Sequence, residues 1–142
     1  MTCTFFGHSE CYGLSREILK TAITELIQKG VDTFYVGNHG EFDRMVYGCL
    51  KQLQMEFPHI SVSIVLAYLP GKKQNGEDLT DTMYPEIEGH PKFAIARRNQ
   101  WMIHASNYCL CYIDHTWGGA YQFARIAKHR NLKVINLGQV VL

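Results

Sequence analysis

The sequence predicts an α/β domain with a mostly parallel sheet of about five strands and helices on both faces. Three observations carry that expectation. Short apolar or β-branched runs alternate with longer segments of helical spacing, the order that a parallel sheet requires. Glycine-bearing turns follow three of the runs, at Gly7, at Gly37 and Gly40, and at Gly118-Gly119. Phe42, Met45, Val46, Cys49, Leu50 and Leu53 form an i, i+3, i+4, i+7 stripe, the mark of a helix with one buried face. With 142 residues and no composition shift or repeat, the chain reads as a single domain over 1–142.

Taken in order, Cys3 to Phe6 is a short apolar strand ended by Gly7-His8-Ser9. A helix follows from Leu14 to Lys29, with Leu14, Ile18, Ala22 and Leu26 inward, Ile23 and Ile27 on the flank, and Gly30 as its stop. Asp32 to Val36 is the second strand, and Glu41 to Phe57 the second helix, closed by Pro58. Ile60 to Ala67 is β-branched and reads as the third strand. Tyr68 to Lys92 is a long polar connection. Phe93 to Ser106 is a helix with Ala94, Ile95, Met102 and Ala105 inward. Tyr108 to Ile113 is the fourth strand, Gly119 to His129 the next helix and Lys133 to Leu137 the fifth strand, and Val140 to Leu142 add a short pairing.

The bulk numbers exclude more than they assign. The net charge is +1, so no basic stripe points to nucleic acid, which is not an expected partner. No apolar run is long enough for a membrane span, and the N-terminus lacks the basic and apolar regions of a signal peptide, so the expected compartment is the cytoplasm. The cysteines at 3, 11, 49, 109 and 111 lack paired ligand spacing and read as reduced, buried side chains. Neither a metal nor a cofactor is expected.

Right-handed crossovers gather the strand-to-helix loops at one edge of a parallel sheet, where such folds bind ligands. The candidate residues lie there. Gly118 and Gly119 open a helix, where free amides and the dipole favour an anion. Gly37-Asn38-His39-Gly40 opens another, as an anion-binding turn or a simple tight turn. His8 either bonds a phosphate or ribose or braces its loop. Asp43 either meets a ribose or complements the helix dipole. Arg98, beside Arg97, offers a guanidinium fork. The 68–92 connection exceeds the two to six residues typical of such loops. It reads as a lid, a surface insertion or a dimer contact, and its acids Glu77, Asp78, Asp81, Glu86 and Glu88 argue against a phosphate clamp.

Read together, Phe5-Phe6-Gly7-His8, Tyr35-Val36-Gly37-Asn38-His39-Gly40-Glu41-Phe42-Asp43, Arg98-Asn99-Gln100-Trp101-Met102-Ile103 and Trp117-Gly118-Gly119-Ala120 resemble the SLOG superfamily. That group includes the LOG phosphoribohydrolases, DNA-processing protein A and small bacterial and phage proteins. The likeness is greatest to the small YpsA-like bacterial members and extends over nearly the whole chain. It implies a Rossmann-like fold, a nucleotide-derived ligand and self-association as a homodimer or higher homo-oligomer. LOG enzymes carry Pro-Gly-Gly-x-Gly-Thr-x-x-Glu and an upstream arginine. Arg98 matches the arginine, Trp117-Gly118-Gly119 stands for Pro-Gly-Gly, Tyr121-Gln122 replaces Gly-Thr, and the glutamate is matched to Ala124.

The resulting expectation is binding of a nucleotide-derived, ADP-ribose-like ligand. The resemblance assigns phosphates to Gly118, Gly119 and the amides after Gly37, charge neutralisation to Arg98, ribose contacts to Asn38 and Asp43, and base stacking to Tyr121 or Trp117; Gly7, His8 and Gly40 complete the set. The alternatives are an N-glycosidic hydrolase, with Arg98, Asp43, Asp114 or Glu41 as catalytic candidates, and an interaction module with a vestigial crevice, in which exposed Trp101 and Tyr84 would mark the partner surface, although a tryptophan such as Trp101 is expected to pack in a dimer interface or the core.

Overall fold

The computed structural model describes residues 1–69 and 80–142. Its strands are β1 (Thr2–Gly7), β2 (Thr33–Val36), β3 (Ser61–Val65), β4 (Thr82–Met83), β5 (Tyr108–Tyr112) and β6 (Lys133–Asn136). Its α-helices are α1 (Arg16–Gln28), α2 (Glu41–Glu56), α3 (Ala94–His104) and α4 (Gly119–His129), with a short 3₁₀ turn, Pro91–Phe93, leading into α3. The sheet has six strands in the order β4-β3-β2-β1-β5-β6, and every pairing is parallel.

Side chains alternate across the sheet. Phe5, Phe34, Val36, Val62 and Leu110 face α1 and α2. Phe6, Val65, Cys109, Cys111 and Ile113 face α3 and α4. The two cysteines thus share one face, as their spacing predicts, and all five cysteines are free and buried. β1 is central. Connections leave it toward β2 on one side, and the chain later returns to β5 on the other, so β1 marks the topological switch point.

Several expectations need correction. Ile18 is 53% exposed, whereas Leu19, Ile23, Leu26 and Ile27 are buried. The reason is the start of the helix. Ser15 caps α1 by accepting the Ile18 N–H, so Leu14 lies before the helix and does not set its phase. Ile95 is also exposed, at 42%, because the inward rows of α3 are Ala94, Arg98 and Met102 with Asn99 and Ile103. Trp101 packs against Tyr35, ring centroids 5.2 Å apart, in the core between the sheet and α3 and α4, the second core, which is one of the two places expected for it. Val140 to Leu142 form no strand, although the Val140 N–H donates to the Ile113 carbonyl.

The long connection carries β4, which extends the sheet beyond β3. Asp81 anchors it, accepting from Tyr47 Oη and Lys51 Nζ, each at 2.9 Å. Glu77 and Asp78 lie outside the described residues, as does the central part of the expected lid. No helix among the described residues is long and apolar enough to cross a membrane.

Gly7 ends β1 where the Phe42 ring occupies the volume that a side chain would take. Phe42 is fully buried. We therefore expect Phe42→Ala to cost about 3–5 kcal/mol in urea unfolding. Gly7→Ala should also destabilise, but far less in the Phe42→Ala background; equal costs in both backgrounds would contradict this packing.

Candidate functional site

A cleft of about 680 Å³ opens at the carboxyl ends of β1, β2 and β5. The loop after β1 contributes Gly7 and His8, the loop after β2 Gly37 and His39, and the segment after β5 Asp114, His115, Gly118 and Gly119. Asp43 of α2 and Arg98, Asn99 and Met102 of α3 also line it.

Arg98 is the fixed charge at this cleft and is only 4% exposed. Three bonds hold it. Nε donates to Asn99 Oδ1 at 2.8 Å, and Nη1 donates to Asn38 Oδ1 and to the Val65 carbonyl, each at 3.1 Å. The guanidinium thereby ties α3 to the end of β3 and to the loop after β2. Burial lowers its pKa, while Asp43 counters that shift.

Asp43 sits across Gly37 from Arg98. A side chain at Gly37 would fall 2.8 Å from Asp43 Oδ2 and 3.3 Å from the guanidinium carbon. Asp43 Oδ2 accepts the His39 N–H at 3.0 Å, so the carboxylate braces its own loop. Burial raises its pKa to about 6, against the opposing effects of that hydrogen bond and of Arg98.

The two glycine-opened helices differ. Both begin after a glycine at positive φ, Gly40 at 91° and Gly118 at 90°, and neither has a capping side chain. At α2, the Ser9 carbonyl accepts the Glu41 N–H, and the first turn contains Glu41 and Asp43. A side chain at Gly40 would strike Ser9. At α4 the first turn contains no acid, and no atom lies within 4 Å of where side chains at Gly118 or Gly119 would begin. The space beside α4 is open to a ligand, whereas the start of α2 is occupied by the protein itself.

His8 is 7% exposed, and burial lowers its pKa. Its Nε2 accepts the Asp114 N–H at 3.3 Å, and its ring stacks on His115 with centroids 3.5 Å apart. His115 in turn lies 4.1 Å from the Trp117 ring, and Trp117 is 68% exposed. The register that pairs Gly7 with Tyr112 brings His8 beside Asp114, across more than a hundred residues of chain.

Of the sequence candidates, Gly7, His8, Gly37, Asp43, Arg98, Asp114, Gly118 and Gly119 line the cleft. Asn38, Gly40, Glu41, Trp117 and Tyr121 do not. Asn38 is engaged by Arg98, and Tyr121 packs against the second core with Arg125 over its ring. Counted from Gly118-Gly119, the LOG-type glutamate falls on Arg125, one residue beyond Ala124. Ala124 is fully buried and Arg125 is exposed, so neither position supplies a carboxylate. His115 and Tyr12 line the cleft without a sequence signal that singled them out, and Asn99, which follows Arg98 in the quoted motif, lines it too. The cysteine spacing pointed to no metal; the fold gathers a different donor set, His8, Asp114 and His115.

No family model and no curated protein matches the chain. Among solved structures, it is similar to DNA processing protein A from Helicobacter pylori, described for its unique single-stranded DNA binding mode. The TM-score is 0.65 at 14% identity, covering 99% of this chain and 66% of that one. The chain therefore spans just under two thirds of that neighbour, and the likeness shows a shared Rossmann-like fold. It also overturns the expectation that nucleic acid is not a partner. The same architecture occurs in a protein described as binding single-stranded DNA.

The Asp43 pKa gives a pH test. A folded value of about 6 against an ordinary 3.8 means that the folded state holds the proton more tightly. Stability from this group is present below the lower value and is lost as pH rises through the upper one, by about 3 kcal/mol. We expect Asp43→Asn to remove that loss between roughly pH 4 and pH 6 in urea unfolding. The same pH profile in both proteins would contradict the assignment.

Proposed function

We propose that the cleft binds a phosphate-bearing nucleotide, with its phosphate on the amides that open α4. The observation that carries this reading is the difference between the two glycine-opened helices. Only α4 presents open space at Gly118 and Gly119 with no acid in its first turn. A helix start of that kind favours an anion. Arg98 supplies positive charge from the cleft wall, already held by three protein acceptors and so ordered before a ligand arrives. The exposed Trp117 ring, next in line after His8 and His115, offers a stacking surface for a base at the edge of the cleft.

The SLOG resemblance supports the same ligand class. The neighbour's described single-stranded DNA binding extends it to a nucleotide unit within a strand, which offers the same phosphate and base. Glycosidic hydrolysis is a second reading, favoured by one observation: Asp43 lines the cleft with a pKa near 6, suited to proton transfer at neutral pH.

The test is a thermal-shift panel of nucleoside 5′-phosphates, ADP-ribose and short single-stranded oligonucleotides, with chromatography for released base. Gly119→Asp places a carboxylate at the proposed phosphate position. An acid there suits the helix dipole, so the free protein should be unchanged or more stable by about 0.3–1 kcal/mol. Ligand affinity should fall by about tenfold or more, the equivalent of at least 1.4 kcal/mol. Arg98→Lys should weaken binding through loss of the planar fork. A ligand held equally well by wild type and Gly119→Asp would refute the phosphate position. Preference for oligonucleotides over mononucleotides would assign the unit to a strand, and released base would establish the hydrolase reading.

A further inference from the structure

We propose that His8, Asp114 and His115 form a binding site for a divalent transition-metal ion at the mouth of the cleft. One ligand atom from each lies within 4.8 Å of the other two. Asp114 Oδ1 is 3.3 Å from His8 Nε2 and 2.6 Å from His115 Nδ1. Two imidazoles and one carboxylate form a donor set that holds zinc, cobalt(II) or iron(II) and leaves coordination positions open.

The geometry around His8 points to a cation. Its Nε2 accepts the Asp114 N–H at 3.3 Å, so the nitrogen carries its lone pair, and binding an ion means giving up that long hydrogen bond. The same nitrogen faces a carboxylate oxygen, another lone-pair atom, at 3.3 Å. An ion between them would take the nitrogen lone pair in place of the Asp114 N–H and bind the carboxylate oxygen as well. A separation of 3.3 Å also suits two donors sharing one ion at about 2.0–2.1 Å.

The arrangement is anchored on one side and adjustable on the other. His8 is buried and fixed by the pairing of β1 with β5. His115 is 29% exposed in the segment between β5 and α4. Coordination requires the His115 ring to turn out of its stack on His8, where the two planes lie within 13° of parallel, and the 2.6 Å contact to widen. His8, Asp114 and His115 line the same cleft as Gly118 and Gly119. The cysteines, the usual rivals for such an ion, are all buried, and Cys109 and Cys111 face the second core.

The test uses the full chain, freed of metal by a chelator and titrated with cobalt(II), with no nucleotide present. Failure therefore leaves the nucleotide site standing, and failure of the nucleotide site leaves this one standing. We expect one equivalent of cobalt per chain, visible ligand-field bands without a thiolate charge-transfer band, and displacement by zinc. Asp114→Asn and His115→Ala should each weaken binding by about tenfold to a hundredfold or more. Both positions are partly exposed, and far-UV circular dichroism checks their folding. If either variant misfolds, paramagnetic broadening of the His8 and His115 ring signals in the wild-type protein decides the matter. No cobalt binding, a thiolate band, unchanged affinity in the folded variants, or broadening elsewhere would each overturn the proposal.

Discussion

The central position of β1 is the constraint on which the rest of this molecule depends. Its neighbours are β2 on one side and β5 on the other, all parallel. Right-handed crossovers then place α1 and α2 on one face and α3 and α4 on the other, which separates the loops after β1 and β5. A cleft results from the topology before any polar residue is considered. Because every strand runs the same way, Gly7, Gly37 and Asp114 all emerge at the same edge.

Within that frame the polar groups divide into those that build the cleft and those left facing it. Arg98 belongs to both sets. Its bonds to Asn38, Asn99 and Val65 close the wall between the second and third strands, while its charge contributes to the cleft. Asp43 holds the loop after β2 by accepting the His39 N–H. The glycines divide in the same way. Gly7 makes room for Phe42 and Gly37 for Asp43 and Arg98, so their missing side chains serve packing. Gly118 and Gly119 make room for nothing in the protein.

Most of the fold was legible in the sequence because hydrophobic period and glycine position report directly on parallel α/β architecture. Gly119–His129 matches its expected bounds because the glycine pair and the apolar spacing agree there. The failures have local causes. Leu14 misled the phase of α1 because it precedes the Ser15 cap. Thr82–Met83 was missed because two residues carry no period, and pairing with β3 is decided by the edge of the sheet. At the site, Arg98, Gly118 and Gly119 were legible from motif position. The bond between Asn38 and Arg98 was not legible, since the two are sixty positions apart and only the fold brings them together. The His8–Asp114–His115 group was not read as a donor set for a similar reason, because strand register brings His8 to the adjacent pair Asp114 and His115.

The central claim is that the amides opening α4, together with Arg98, receive the phosphate of a nucleotide. The most direct measurement is a ¹⁵N NMR titration with a nucleoside 5′-phosphate and, separately, a short single-stranded oligonucleotide. The account predicts saturable shifts of the Gly118, Gly119 and Ala120 amides and of the Arg98 Nε–H, with the Glu41 amide much less affected. Shifts confined to the exposed faces of α1 and α2, or none at the start of α4 for either ligand, would contradict it.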